Sequence, residues 1–347
     1  MSDRLQRLLA QRPYLLADGA TGTNLFDVGL AAGDAPEIWN VDHPDRIEKL
    51  HRDMIAAGAD IILTNSFGGS RYRLKLHKAE GRVAELNELA ARIARRVADE
   101  EQKKSGREIV VAGDIGPSGE LFEPLGPLTI AEGTEGFAEQ AKALAAGGAD
   151  CLWIETMSSK DELRAAVAGA GVTGLPVVTT LTFDTNGSTM MGVKPAEVAS
   201  FCQHDLQPQP LAYGANCGVG PSELVATLVN LIGAAGPGDI IVAKSNCGVP
   251  YFDNGKIRYD GTPELMARYA RLARDSGARI IGGCCGTTPE HLASIRAALD
   301  GYAPGAKPTM EQIVTELGKI SAGAAGIVPH AANSDARRRR GRRGGEG

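Results

Sequence analysis

Short runs of apolar and β-branched residues recur along the chain, and each is followed by a glycine-containing segment and then by a helical pattern of apolar positions. This alternation predicts parallel strands joined by helices. The eight runs, numbered as predicted strands 1 to 8, are 14–17, 60–64, 109–113, 151–154, 177–182, 212–215, 240–243 and 280–283. Eight such units over about 300 residues predict an α/β fold, a (β/α)8 TIM barrel. An open doubly wound sheet is the alternative, but no G-x-G-x-x-G follows the first run, and eight units fit closure better.

Residues 1–303 contain all eight units, so we expect them to form a single barrel domain. Residues 304–347 lie outside this count as a C-terminal extension, in which one helix is predicted at 309–319. Beyond that helix the periodicity is lost, and an arginine-rich run at 337–343 sits among glycine, serine and asparagine, which predicts a disordered, flexible tail. Such a run can also bind acidic partners, so a non-catalytic subunit that uses this tail is an alternative hypothesis.

The composition is that of a globular protein: of 347 residues, 43% are apolar and 23% charged. We find no apolar stretch near the roughly twenty residues of a membrane span, and no basic-then-apolar N-terminus. We therefore expect a cytoplasmic protein with no membrane partner. The net charge of −5 gives no general reason to expect a nucleic-acid partner. Six cysteines without a secretory signal indicate reduced thiols or metal ligands rather than a disulfide framework.

The vicinal pair Cys284-Cys285, in the sequence GGCCGT at 282–287, is the most informative feature of the chain. Adjacent thiols do not easily form a disulfide with each other, because the small ring strains both the peptide and the S–S torsion. The flanking glycines let the backbone turn so that both sulfurs face one way. The pair therefore predicts two ligands to a soft metal such as zinc.

A third thiol, Cys217, follows predicted strand 6, and the active sites of (β/α)8 barrels lie at the carboxyl ends of the strands. Cys217 is therefore the expected third ligand, and three thiolates leave a fourth position on zinc for an incoming thiol, which favours a catalytic site. Cys247, after predicted strand 7, is interpreted as a spare thiol nearby; approach to the zinc is the alternative. The alternative for Cys217 and Cys247 is that each is a small buried side chain beside a tight turn. For Cys151 and Cys202 we expect a buried, purely structural side chain.

Three acidic residues, Asp18, Asp114 and Glu155, follow predicted strands 1, 3 and 4. The two aspartates precede glycine-rich turns and could cap them. Glu155 follows the apolar sequence Leu-Trp-Ile, where a carboxylate is costly unless it meets a cation or hydrogen-bond donors, and the amino group of a ligand would supply both. A hydrolase, a lyase or a hard-metal site built from these three acids is the alternative hypothesis.

Five motifs at the strand ends occur in a fixed order along the chain. They are DGATGT at 18–23, TNSF at 64–67, GDIGP at 113–117, NC at 216–217 and GGCCGT at 282–287. Together they resemble the zinc-dependent homocysteine S-methyltransferases, which include the homocysteine-binding module of cobalamin-dependent methionine synthase and the betaine-dependent enzymes. The resemblance runs from about residue 15 to about residue 299, nearly the whole predicted barrel.

The resemblance implies an enzyme that makes methionine by transferring a methyl group to homocysteine held as a zinc-bound thiolate. The implied cofactor is Zn²⁺, and its implied ligands are Cys217, Cys284 and Cys285. The residues implied to hold homocysteine by its amino-acid end are Asp18, Gly19 and Glu155, with Asn65 lining the same pocket.

The methyl donor is a separate question. Betaine-dependent relatives place aromatic residues just after the strand 2 Phe and the strand 4 Glu, to face a quaternary ammonium, whereas here those positions are Gly68 and Thr156. Both segments are similar to the cobalamin-dependent module, which favours methylcobalamin carried by a separate protein, because no Asp-x-His-x-x-Gly motif occurs in this chain. Betaine, S-methylmethionine or another small onium donor is the alternative. Trp39 could face such a cation, but we expect it to serve packing.

Overall fold

The structure, a computed structural model, describes residues 3–253 and 256–326. Its elements are numbered in chain order. The strands are β1 (Leu15–Leu16), β2 (Ile61–Leu63), β3 (Val110–Ile115), β4 (Cys151–Met157), β5 (Val177–Leu181), β6 (Ala212–Cys217), β7 (Ile241–Ser245), β8 (Pro250–Asp253), β9 (Lys256–Tyr259) and β10 (Ile280–Gly283). The helices are α1 (Arg4–Gln11), α2 (Gly22–Asp27), α3 (Trp39–Asp42), α4 (Pro44–Ala56), α5 (Arg71–Leu74), α6 (Val83–Ser105), α7 (Ile130–Ala146), α8 (Lys160–Gly171), α9 (Pro195–Ser200), α10 (Pro221–Ile232), α11 (Pro263–Ser276), α12 (Pro289–Leu299) and α13 (Met310–Leu317).

Eight parallel strands form one sheet in the order β1-β10-β7-β6-β5-β4-β3-β2. The two ends of this order meet, because Ala17, just after β1, pairs with Ile61 of β2. The backbone N–H of Asp18 donates to the Ile61 carbonyl over 3.0 Å, and that of Asp60 donates to the Leu16 carbonyl over 2.7 Å. These bonds close the sheet, so the predicted (β/α)8 barrel is confirmed.

Four strands run further than the hydrophobic pattern predicts. β3, β6 and β7 each continue for two residues beyond their apolar runs, and β4 continues for three. Asp114, Glu155 and Cys217 therefore lie within strands, and their placement after the strands was wrong; Lys244 likewise lies within β7. The predicted strands ended at the first polar side chains. The backbone hydrogen bonds of a closed barrel continue past those residues, because they do not depend on side-chain polarity.

The barrel interior is filled by side chains that alternate along the strands, as the two-residue period of a strand requires. This cluster comprises Leu15, Ala17, Ile61, Leu63, Val110, Ala112, Cys151, Trp153, Val178, Ala212, Val242 and Ile280. Cys151 is buried in it, and Cys202 is buried in the helical turn Phe201–Asp205 that follows α9.

Helix α1, which the sequence pattern did not reveal, closes the amino end of the barrel. Its Leu5, Leu8 and Leu9 lie on one helical face and are buried together with the interior cluster. Arg4 of this helix donates to the carbonyl of Ile109, the residue before β3, over 2.9 Å. Because α1 covers this end, the opposite end, where the strands finish, is the open one.

Replacing Leu8 with alanine should lower the free energy of unfolding by about 2–5 kcal/mol, because it leaves a cavity between α1 and the barrel interior. Urea titration followed by circular dichroism measures this change. Gln6→Ala on the exposed side of the same helix is the matched control, with an expected change within about 0.5 kcal/mol. Equal stability of the two variants would show that α1 contributes little to closing the barrel.

Two further features lie outside the eight repeating units. An antiparallel hairpin of β8 and β9 stands between β7 and α11, and it was not predicted. Helix α13 confirms the helix expected at 309–319; it starts after Thr309, whose side chain accepts the Gln312 N–H, and packs against α10 and α11. The arginine-rich run at 337–343 lies outside the described residues. Among those described, no helix combines the length and apolar character needed to span a membrane.

Candidate metal and substrate site

Three thiols meet at the open end of the barrel. Cys217 is the last residue of β6, and Cys284 and Cys285 directly follow β10; β7 lies between these two strands. The three Sγ atoms lie within 4.8 Å of one another. A tetrahedral zinc with Zn–S bonds of about 2.3 Å needs sulfurs roughly 3.8 Å apart, so the cluster fits that ion with small adjustment. Cys284 is buried while the other two are half-buried, which leaves one side of the cluster accessible.

The protonation of the cluster also suits a cation. Hydrogen bonds with Cys284 and Cys285 raise the pKa of Cys217, whereas hydrogen bonds from Cys217 and Cys284 lower the pKa of Cys285 well below its usual range. Three sulfurs this close share protons because three bare thiolates would repel one another. A divalent cation bound between the sulfurs offsets the repulsion between the thiolates, and thiolates prefer a soft metal ion.

The backbone around the cluster is held in uncommon conformations. Cys217 has φ 60° and Thr156 has φ 65°, both in the left-handed region that costs a non-glycine residue about 1–3 kcal/mol. Asn216, which is fully buried, ties the two together: its Oδ1 accepts the Thr156 N–H and its Nδ2 donates to Thr156 Oγ1, each over 2.8 Å. The same Nδ2 lies 3.9 Å from Cys284 Sγ. One amide therefore connects the ends of β4 and β6 with the cysteine pair.

The hairpin contributes Tyr259, whose hydroxyl lies close enough to Cys285 to help lower the pKa of that thiol. The Tyr259 ring packs on Gly286, which has φ 79°, and a Cβ at position 286 would come within 2.4 Å of the ring. Glycine is needed there on both counts. Sequence reasoning missed Tyr259, because nothing in the hairpin residues indicates that they fold back over the metal ligands.

Cys247 lies next to the cluster but not in it. Its sulfur is buried and donates to the Gly261 carbonyl over 3.4 Å, and its N–H donates to the Cys285 carbonyl over 2.8 Å. Among the described residues, the group of side chains able to hold a metal consists of Cys217, Cys284 and Cys285. This arrangement matches the interpretation of Cys247 as a spare thiol nearby.

A buried lysine lies at the centre of the acidic residues. Lys244 on β7 is 2% exposed, and its Nζ donates to Asp18 Oδ1 over 3.1 Å. Asp18 Oδ2 accepts the Leu63 N–H over 2.8 Å, so both oxygens of Asp18 have partners. Sequence reasoning gave Lys244 no role, although a lysine that ends the run IIVA was a usable indication: a charge inside a buried strand requires a partner.

Asp114 and Glu155 complete a group of three buried carboxyls around this lysine. Burial raises the pKa of Glu155 to about 8, with Lys244 opposing, and burial together with Glu155 raises the pKa of Asp114. Asp114 Oδ1 and Glu155 Oε2 are buried and have no hydrogen-bond partner among the described residues. Three acids share one ammonium, and two acceptor atoms remain unused. Such a pocket suits a ligand that carries a positive charge.

The remaining predicted residues divide between two places. A Cβ at Gly19 would lie 2.6 Å from the Thr287 carbonyl oxygen, so glycine lets the loop after β1 pack closely against the loop that carries the cysteine pair. Asn65 instead donates its amide to the Pro36 carbonyl over 2.7 Å and to Asn40 Oδ1 over 3.0 Å. The structure thus brings Asp18, Gly19 and Glu155 to the end of the barrel where the cysteines lie, while the Asn65 side chain fixes the segment 36–40.

The segment 36–40 also contains Trp39 and a buried acid. Trp39 is buried in the core, with the Arg46 guanidinium 4.8 Å from its ring centroid, which matches the packing role expected for it. Glu37 was not anticipated; its Oε1 accepts the Gly68 N–H over 2.6 Å. A Cβ at position 68 would lie 3.0 Å from this oxygen, so a side chain there would require the Glu37 carboxylate to shift.

Comparison with known proteins supplies independent information. The chain is similar to the methionine synthase of Mycobacterium leprae, with 31% identity over 334 residues, covering 91% of this chain and 27% of that protein. It is 32% identical over 309 residues to the methionine synthase of Mycobacterium tuberculosis, covering 84% of this chain and 25% of that protein. The chain therefore spans about a quarter of the length of these curated relatives.

Solved structures with the same fold include the homocysteine methyltransferase MmuM from Escherichia coli in its metallated form. That structure has a TM-score of 0.72 and 24% sequence identity, covering 84% of this chain and 99% of that chain. A family model described as homocysteine S-methyltransferase matches residues 15–299, which include every barrel strand and all three clustered cysteines. The resemblance drawn from the five motifs is confirmed: this chain belongs to the homocysteine S-methyltransferase family, whose members are methyltransferases.

Proposed function

We propose that this chain makes methionine by transferring a methyl group to the thiol of homocysteine, with Zn²⁺ held by Cys217, Cys284 and Cys285. The observation that carries the proposal is the cluster of three sulfurs within 4.8 Å at the open end of the barrel. Three protein ligands and an accessible side are typical of catalytic zinc, whereas structural zinc has four. Bound zinc would act as a Lewis acid that keeps the substrate sulfur deprotonated near neutral pH.

The acidic pocket is the proposed site for the amino-acid end of homocysteine. Glu155 Oε2 and Asp114 Oδ1, both buried without a partner among the described residues, would accept hydrogen bonds from the substrate ammonium. Asp18 has used one acceptor site on each oxygen, and a carboxylate offers about four, so it can also contribute. Gly19 allows the close approach of the two loops, and Asn65 acts through the segment 36–40. Holding the ammonium fixes the substrate sulfur in one place, which turns methyl transfer into a nearly unimolecular step.

Glu155→Gln is expected to raise the KM for homocysteine about ten- to hundredfold, because a hydrogen bond to a charged group contributes roughly 1.5–3 kcal/mol. Steady-state kinetics and zinc analysis together check this, and zinc content should not change. Glu162→Gln is the control: Glu162 of α8 is also buried, but its Oε1 accepts hydrogen bonds from Ser118 in the segment after β3, and glutamine keeps that acceptor. An unchanged KM for homocysteine in the Glu155 variant would show that Glu155 does not bind the substrate.

For the methyl donor we propose methylcobalamin presented by another protein or protein module. Two observations support this choice. Position 68 is a glycine and offers no aromatic ring to a quaternary ammonium, and a Cβ there would lie 3.0 Å from the Glu37 carboxylate, which would have to shift. The curated relatives are methionine synthases about four times as long as this chain, and they therefore carry further segments that this chain does not match.

The donor is identified by supplying homocysteine with methylcobalamin, betaine or S-methylmethionine in separate reactions and measuring methionine. Methylcobalamin is expected to give methionine and betaine none. Methionine from S-methylmethionine alone would replace the donor proposal with a small onium donor while leaving the acceptor site intact. No methionine from any donor, with zinc bound, would contradict the proposed function itself.

We also propose that residues 1–303 are the catalytic barrel and that 304–347 form an extension to it. Helix α13 packs on α10 and α11, so the part of the extension that the structure describes, up to residue 326, is attached to the barrel.

A further inference from the structure

The segment after α13 lies along helix α10 on the outside of the barrel. We call residues 319–326 the C-terminal strap. Its carbonyls accept hydrogen bonds from α10: Ser222 Oγ donates to the Lys319 carbonyl over 2.8 Å, and Asn230 Nδ2 donates to the Ala324 carbonyl over 3.0 Å. Ser321 donates its N–H and its hydroxyl to the carboxylate of Glu223. The strap is therefore fixed to α10 at three points, although it lies outside the family match at 15–299.

The strap ends against a tight turn in the loop that follows β5. Thr185 and Ser188 pair across this turn, and its central residues Asn186 and Gly187 have φ 48° and 73°, as a two-residue hairpin turn requires. The Gly323 N–H donates to Asn186 Oδ1 over 2.8 Å.

The two backbones touch at this point. A Cβ at Gly323 would lie 1.8 Å from the Asn186 carbonyl oxygen, and one at Gly187 would lie 2.4 Å from the Ala324 nitrogen. Ala324 is 1% exposed. The contact is thus a close fit that leaves no space for a larger residue at either glycine.

The loop after β5, residues 182–193, in turn contacts two strand ends of the site. Thr189 Oγ1 donates to the Ser158 carbonyl over 2.6 Å, three residues beyond Glu155. Thr182 Oγ1 accepts the N–H of Gly218, the residue after Cys217, over 3.2 Å. Both strand ends contain a residue in the left-handed conformation, and such conformations persist only where surrounding contacts enforce them.

We propose that the C-terminal strap is a positioning element for the site: it fixes the loop 182–193, which holds the end of β4 near Glu155 and the end of β6 near Cys217. The kinetic part of this inference rests on the proposed function, whereas its structural part does not. The hydrogen bonds of the strap go to α10 and to the loop 182–193 and not to the clustered cysteines, so its effect is on placement. A misplacement near 1 Å can cost up to about a hundredfold in rate.

Two pairs of variants test the strap. In the first, a chain that ends at residue 326 is compared with one that ends at 318. In the second, Gly323→Val, which forces a side chain against the Asn186 carbonyl, is compared with Ala322→Val at the exposed neighbouring position. Asn186→Gly is an additional, milder variant for the case that Gly323→Val does not fold. Glycine keeps the left-handed turn and removes only the hydrogen bond to Gly323.

Two measurements are made on each variant. Limited proteolysis with subtilisin, mapped by mass spectrometry, should cut the loop 182–193 about tenfold faster in the chain ending at 318 and in Gly323→Val than in their partners. The KM for homocysteine should rise about tenfold in the same two variants, with zinc content unchanged. Asn186→Gly should shift both values in the same direction by a few fold.

Unchanged cleavage of the loop in the chain ending at 318 and in Asn186→Gly would overturn the inference, since the loop would then be fixed without the strap. Faster cleavage with a normal KM would also overturn it, since the loop would not then position the site. If wild type formed no methionine, the proposed function would fail, and the proteolysis comparison would still decide whether the strap fixes the loop.

Discussion

Cys284→Ser is expected to lose bound zinc and to lower the rate of homocysteine methylation by more than about a hundredfold. Serine is a hard oxygen ligand that stays protonated near neutral pH, so it does not replace a thiolate on a soft metal. Even the residues that only orient metal ligands are worth about 10- to 100-fold in affinity or activity, so a ligand itself should cost more. Zinc content by inductively coupled plasma mass spectrometry and methionine formation are the two measurements.

Cys247→Ser is the matched control for this variant. Cys247 is a buried cysteine beside the same cluster, and serine can keep its bond to the Gly261 carbonyl. We expect this variant to retain zinc and activity. Circular dichroism should show both variants folded. A Cys284→Ser protein with full activity and no zinc would disprove the zinc-dependent mechanism, and loss of zinc on changing Cys247 would add a fourth thiol to the site.

Lys244→Met is expected to lower the free energy of unfolding by about 3–5 kcal/mol, the usual result of removing one partner of a buried ion pair. The lysine is the cation that faces the buried carboxyls of Asp18, Glu155 and Asp114, and its removal leaves them without compensation. Burial already raises the pKa of Asp18 and Lys244 opposes this rise, so the variant should raise that pKa further. A folded-state carboxyl with a raised pKa binds a proton that the unfolded chain has released. The stability deficit should therefore grow as pH rises and shrink as pH falls toward the ordinary range of an aspartate.

The double variant Lys244→Met with Asp18→Asn tests whether the cost arises from the unpaired charge. Removing one of the carboxylates should restore at least about 1 kcal/mol relative to Lys244→Met alone, measured by urea titration. If the double variant is no more stable than Lys244→Met alone, the lysine stabilises the barrel by packing. Its Nζ lies 5.5 Å from the Trp153 ring centroid, which is one such contact.

The barrel was predictable because its strands alternate with helices in one repeated order, and the apolar runs located all eight strands. The carboxyl ends of the strands were harder to place. Asp114, Glu155 and Lys244 interrupt an apolar run, and a pattern of apolar residues ends where the side chains become polar, whereas the strand ends where its backbone bonds end. In this fold the difference matters, because the residues between those two points are the ones that line the site.

The parts of the site that the sequence did not reveal depend on contacts between distant segments. Cys217 and the pair Cys284-Cys285 could be proposed as metal ligands from the sequence, because thiols at strand ends are chemically distinctive. The pairing of Lys244 with Asp18 joins residues 226 positions apart, and only barrel closure brings them together. Tyr259 reaches Cys285 from a hairpin with no counterpart in the repeating units. The C-terminal strap has no helical or strand period at all, so its path along α10 left no trace in the pattern of apolar residues.

The closure of the amino end by α1 has a consequence for the order of events in the proposed reaction. With that end covered, homocysteine and the methyl donor share one way in. The acids that would hold homocysteine are buried, whereas Cys217 and Cys285 are partly exposed, so the acceptor occupies the deeper position and a large donor covers it. We therefore expect homocysteine to bind first and methionine to leave last. Product inhibition by methionine should accordingly be competitive with homocysteine and noncompetitive with the donor.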